Sequence, residues 1–184
     1  MSTKYTFRDQ EKLYFITFSV IYWIDVFSRK DYRDILIESF RYCQLHKGLE
    51  IYAYCIMTNH VHMIIGRNGK QDMQAILRDL KKYTSCKITE AIQSHQGESR
   101  KEWMLWMFQR AGHKNPNNKK LQFWQQDNHP VELTSNLIMN QKLSYIHMNP
   151  VRAGIVLSPE EYVYSSAKNY AGDIDCILPV QLIE

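Results

Sequence analysis

The chain has 184 residues, 45% hydrophobic and 23% charged. That suits one folded domain with its own core and excludes disordered, collagen-like and disulfide-scaffold classes. Lys and Arg number 23 against 19 Asp and Glu; the net +4 is compatible with a nucleic-acid partner without requiring one.

The cysteines Cys43, Cys55, Cys86 and Cys176 are widely spaced and form no C-x-x-C pair. Reduced, buried thiols are therefore expected, not a disulfide framework or structural zinc. The N-terminus "MSTKYTFRDQEK" has no apolar signal region, and the longest apolar runs fall short of a membrane span. A cytoplasmic protein with no membrane contact is expected.

In chain order, residues 13–24, "LYFITFSVIYWI", are aromatic and β-branched and predict a strand. Tyr32, Ile35, Leu36, Ser39, Phe40 and Cys43 recur at helical spacing, with Gly48 as the stop. "LEIYAYCIMTNHVHMIIG" predicts two strands joined by a tight turn. A second helix follows, with Asp72 as N-cap and Met73, Ile76, Leu77, Leu80, Tyr83 and Thr84 on one face. "SRKEWMLWMFQRAG" predicts another helix, "HKNPNNKK" a loop, and "LQFWQQDNHPVEL" a further strand and its exit. After Thr134 as N-cap, a last helix is expected to stop at Pro150, followed by an irregular tail over 157–184. The whole reads as one α+β domain, a central mainly antiparallel sheet with helices packed on its faces.

Two features carry chemistry. His60 and His62, at i and i+2 of a strand, leave on the same face, and neutral imidazole is the commonest protein metal ligand. Alternatively, His60 caps the turn and His62 is a core histidine with its own partners. In the late helix, Tyr145 and Asn149 are four residues apart and share a face, so a phenol and a carboxamide oxygen look the same way. Alternatively, Tyr145 packs in the core, Asn149 closes the helix and His147 faces solvent.

The stretches "AYCIMTNHVH" and "YIHMNPVRAGIV", the latter followed by "PEEYVYSS", together make the sequence resemble the single-tyrosine HUH transposases. Within them it is similar to the REP-associated, IS200-like group. The resemblance runs from the first strand to about Ser166. It implies a ferredoxin/RRM-like HUH endonuclease fold. It implies Tyr145 as catalytic nucleophile, and His60, His62 and Asn149 as ligands of a divalent metal, Mg²⁺ or Mn²⁺. It further implies single-stranded DNA with a REP-like hairpin palindrome as partner, on bacterial nucleoid DNA, cut through a 5′-phosphotyrosine. The protein would act as a monomer or homodimer, with the tail favouring the monomer. Residues 94–122 are longer than the linker typical of such proteins.

The chemistry suits the residues. A phenol, with a reference pKa of about 10, becomes a tolerable leaving group after attack, so a phosphotyrosine link stays reversible. That favours strand transfer over hydrolysis. Arg78, Lys81, Lys82 and Lys87 lie along one predicted helix with Tyr83 between them, where charge meets phosphate and the ring stacks a base. The other reading is a solvated face with Tyr83 in the core. Arg152 is placed either to reach phosphate or to hold the tail, and His129 either near the site or merely before Pro130. The competing function is a non-catalytic single-stranded nucleic-acid-binding domain. A β/α-barrel hydrolase needs a longer chain, of about 250 residues.

Overall fold

The computed structural model describes residues 7–115, 120–126 and 128–183. Part of the "HKNPNNKK" loop, and Asp127 of the following segment, lie outside the described residues. Four strands, β1 (Tyr14–Ser19), β2 (Leu49–Ile56), β3 (His60–Arg67) and β4 (Val131–Glu132), form one antiparallel sheet in the order β2-β3-β1-β4. The helices are α1 (Lys30–Lys47), α2 (Met73–Ser94), α3 (Lys101–His113), α4 (Asn136–Arg152) and the short α5 (Ala167–Tyr170). The expected α+β architecture is the one observed.

Alternation along the strands divides the helices between the faces. Tyr14, Ile16 and Phe18 of β1 point one way, and Trp124 links Phe18, at 4.9 Å between ring centroids, to Thr84 of α2 through an indole hydrogen bond of 3.1 Å. Helices α1 and α2 pack together on that side. Phe15 and Thr17 point the other way, level with Ile64 and His62 of β3, and there Tyr145 of α4 meets Phe15 edge-on at 6.0 Å. The register that fills the core on one face thus carries the histidines out on the other.

Helix α1 ends as its sequence predicts, on Gly48 in the left-handed conformation at φ 69°. Other boundaries differ. Strand β1 stops at Ser19 instead of running to residue 24, because Tyr22 and Trp23 both take φ of 56° in a tight turn that no strand tolerates. The segment 121–133 contributes only Val131–Glu132 and a single bridge from Trp124 to Val20. Phe123 and Trp124 are consecutive and both buried, so the alternation a strand needs is lost. Helix α4 is capped by Ser135, whose side chain accepts from the Ile138 N–H, rather than by Thr134. It passes Pro150 because the proline falls in the last turn, where the Ala153 N–H still reaches the Asn149 carbonyl at 3.0 Å.

The tail covers the free edge of β2. The Ile56 N–H donates to the Tyr164 carbonyl at 2.9 Å, and the Ser166 N–H to that of Tyr54 at 3.0 Å. This sheathing satisfies edge groups that would otherwise template association. Cys43 and Cys55 are buried thiols as expected, but Cys86 is exposed and Cys176 half-buried, since each lies on an outward-facing position. No helix among the described residues is long and apolar enough to cross a membrane.

Candidate active site

The β2–β3 turn and β3 present His60 and His62 side by side, their ring centroids 4.6 Å apart and their planes at 74°. Helix α4 brings Tyr145 to His62, at 5.1 Å between centroids, from the far end of the chain. Phe15 stacks on His62 at 5.6 Å. Trp23 stands edge-on to His60 at 5.5 Å on the other side. The result is a row of rings, Trp23, His60, His62 and Tyr145, along one face of the sheet.

Each imidazole is held by its Nδ1. Asn59 donates its side-chain N–H groups to the Trp23 carbonyl (3.2 Å) and to Asp25 Oδ1 (3.0 Å). Its Oδ1 is therefore the acceptor for His60 Nδ1–H at 2.7 Å, which leaves the lone pair of the His60 ring on Nε2. His62 Nδ1 shares a hydrogen bond of 2.7 Å with Thr17 Oγ1. His62 is only 5% exposed, and its Nε2 is buried with no hydrogen-bond partner among the described residues. Burial, joined by the charges of His60 and Lys142, pushes its pKa down to about 3, and burial lowers that of His60. Both rings are thus neutral near pH 7, the form that offers a lone pair. A buried imidazole nitrogen without a hydrogen-bond partner is costly in a purely structural histidine, and the lone pair of such a nitrogen fits a metal ion.

Tyr145 is 37% exposed. Lys142, one turn earlier on α4, puts its ammonium 5.9 Å from the Tyr145 ring and 4.6 Å from that of Phe15. Arg152 puts its guanidinium 5.8 Å from the Tyr145 ring. Asn149 is half-buried one turn after the tyrosine, and its Nδ2 donates to the Tyr145 carbonyl at 3.1 Å. Among the described residues no group of three or more His, Cys, Asp or Glu side chains is placed to hold a metal.

The sequence matches the family model for transposases described as "IS200 like" over residues 10–147. The chain belongs to this family of transposases. Its fold is similar to that of a REP-associated tyrosine transposase solved bound to a REP hairpin, with a TM-score of 0.65 at 16% identity, covering 100% of this chain and 94% of that one. A presumed transposase from Deinococcus radiodurans R1 matches at 19% identity with a TM-score of 0.46, covering 73% of this chain and 87% of that one. No curated protein matches.

The other expected contacts of the transposase are not gathered at this row of rings. Helix α2 packs on the opposite face of the sheet, and its own residues divide. Arg78, Lys81 and Lys82 border a groove lined by residues 121–126 and Asn128. Tyr83, 55% exposed and so not in the core, lies instead with Lys87 in a groove facing α1. One surface carrying all five residues is therefore not formed, because Tyr83 and Lys87 are rotated away from the Arg78–Lys82 side of the helix. Lys81 is committed within the protein, donating to the Gln125 carbonyl at 2.7 Å and to Asn128 Oδ1 at 2.8 Å. Arg78 pairs with Asp79 at 3.2 Å. His129 occupies the turn before Pro130 at φ 44°.

His147 does not face solvent: its Nε2 is 2.9 Å from Ser166 Oγ, and burial lowers its pKa to about 4. It ties the tail to α4. Sequence reasoning missed Phe15, Thr17, Trp23, Asn59 and Lys142 in the transposase. Lys142, three residues before Tyr145 on the same helix, and Asn59, next to His60 in the chain, had a local signal.

Proposed function

We propose that this transposase cuts and rejoins single-stranded DNA at REP-like hairpins through a 5′-phosphotyrosine on Tyr145. The observation that carries the reading is the meeting of Tyr145 with the His62 ring, 5.1 Å between centroids, where His62 Nε2 is buried and unpartnered. His60, His62 and Asn149 would hold the divalent cation, and a donor set of nitrogen and amide oxygen suits Mn²⁺ and admits Mg²⁺. When bound, such an ion polarises the scissile phosphate and offsets charge that develops on it.

The chain's own residues do the rest. Tyr145 gives up its phenolic proton and its oxygen attacks phosphorus in line. A Tyr145 O–P bond forms as the bond to the 3′ oxygen breaks, and the departing oxygen takes up a proton in exchange for the one the phenol gives to water, which leaves a free 3′-OH. Attack by a 3′-OH on the phosphotyrosine runs the same exchange backwards and restores the phenol, so no bond is lost to water. Lys142 and Arg152 bring positive charge to the Tyr145 ring, near where phosphate oxygens would lie. Tyr145 meets His62 of its own chain, which supports action as a monomer.

The test combines purified protein, Mn²⁺ and single strands from the DNA flanking its gene. A covalent protein–DNA adduct is expected, abolished in Tyr145→Phe with binding nearly intact. An undiminished adduct in that variant places the nucleophile elsewhere. Tight binding by the wild type without any adduct selects the non-catalytic binding domain instead.

A further inference from the structure

The turn after β1 holds two aromatic residues in a conformation that aromatic residues avoid. Tyr22 and Trp23 both have φ of 56°, and they are 43% and 55% exposed. Neither ring is placed there by the core. The backbone around them is nonetheless fastened at several points. The Val20 N–H donates to the Asn59 carbonyl at 2.9 Å, that of Ile21 to Phe123 at 2.8 Å, and that of Trp23 to Val20 at 3.1 Å. The Trp23 carbonyl accepts from the Asn59 side chain at 3.2 Å. The same Asn59 amide orients His60. A large indole is thus held out toward solvent, in strained backbone, by the residue that also aims a proposed metal ligand. Strain kept by the surrounding structure beside a reactive centre points to use.

We propose that Trp23 is a stacking platform for an unpaired base next to the scissile phosphate. This deepens the reading above and rests on it for the position of the phosphate. Trp23 stands at one end of the row of rings and Tyr145 at the other, so a strand whose phosphate lies over the histidines carries a neighbouring base to the indole. An indole face stacks any base, so the contact fixes the path of the strand rather than its sequence. Asn59 couples the two functions: it holds the platform and the imidazole in one rigid unit.

The experiment uses the full chain and a single strand from the DNA flanking its gene, with a palindrome and unpaired flanks. 2-Aminopurine is placed at one unpaired position at a time. In wild type, fluorescence at one flanking position is quenched on binding. In Trp23→Ala that quenching is lost and affinity falls about ten-fold or more, while Trp23→Phe stays within about three-fold of wild type. Trp23→Gly separates use from folding, because glycine accepts positive φ without strain. It should raise the melting temperature and still lose the stacking signal. Unchanged quenching and affinity in Trp23→Ala and Trp23→Gly overturn the platform. Covalent adduct formation by wild type on the unlabelled strand is read alongside. Adduct without Trp23-dependent stacking overturns only the platform, and Trp23-dependent stacking without adduct overturns only the tyrosine chemistry.

Discussion

Asn59 fixes the tautomer of His60: its Oδ1 accepts from the imidazole Nδ1–H at 2.7 Å while its amide nitrogen is tied to Asp25 and Trp23. A ligand imidazole held this way keeps its free lone pair aimed at one point. Removing the holder should cost about 10- to 100-fold in metal affinity. Isothermal titration of Asn59→Ala with Mn²⁺ is expected to show that loss. An affinity equal to wild type would mean that His60 needs no guide.

Thr17 does the corresponding work for His62 through its Oγ1 at 2.7 Å. Thr17→Val keeps the shape and removes the hydroxyl. The β1–β3 pairing should survive, and Mn²⁺ affinity should drop by about ten-fold or more. Nitrogen NMR of the two histidines in the metal-free protein gives a second readout, a change in the His62 tautomer with His60 undisturbed.

The lysines near the DNA-contact candidates should separate by role. Lys142 beside Tyr145 is placed to meet phosphate, so Lys142→Gln should weaken DNA binding and flatten the dependence of log K on log salt by about one unit. Lys81 is spent on Gln125 and Asn128. Lys81→Met should instead lower stability, by roughly 1 to 3 kcal/mol, since hydrogen bonds from a charged donor are lost. Its salt slope should stay at the wild-type value; a slope change for Lys81 and none for Lys142 would exchange the two assignments.

Glu98 gives a prediction about pH. It is fully buried at its side chain and receives Arg29 at 2.7 Å and Arg100 at 3.1 Å. Burial raises its pKa, but hydrogen bonds from Arg100 and Arg29 outweigh that and bring it from 4.5 down to about 2. A carboxylate with a depressed folded pKa binds fewer protons folded than unfolded. Its stabilisation is therefore present above pH 4.5 and lost as the pH falls toward 2. Chemical denaturation should show Glu98→Gln clearly weaker than wild type at pH 7, with the gap narrowing below pH 4.5. A gap independent of pH would mean that shape, not charge, joins α3 to the turn before α1.

How far the sequence reaches is clear from individual residues. Helix α1 was legible to its final residue because 3.6-residue periodicity and a left-handed glycine are both local signals. The β2–β3 hairpin was legible for the same reason. The strand expected over 121–133 failed because Phe123 and Trp124 are both drawn into the core by distant partners, Phe27 and Phe18. For Tyr83 the helical spacing leaves both a place on the apolar face of α2 and an outward ring open, and the structure exposes it, at the border of the buried stripe facing α1.

By itself the sequence determined two local pairings: two imidazoles on one strand face, and a phenol and a carboxamide one turn apart on a helix. Those relations follow from the repeat of a strand and of a helix, which need no neighbours. Only the tertiary structure decided that α4 lies across the β1–β3 face, that Phe15 and Thr17 stand beside His62, that Trp23 closes the row at His60, and that the α2 lysines fall on the other side. Register and helix docking are chosen by burial of residues far apart in the chain, and no local spacing records that choice.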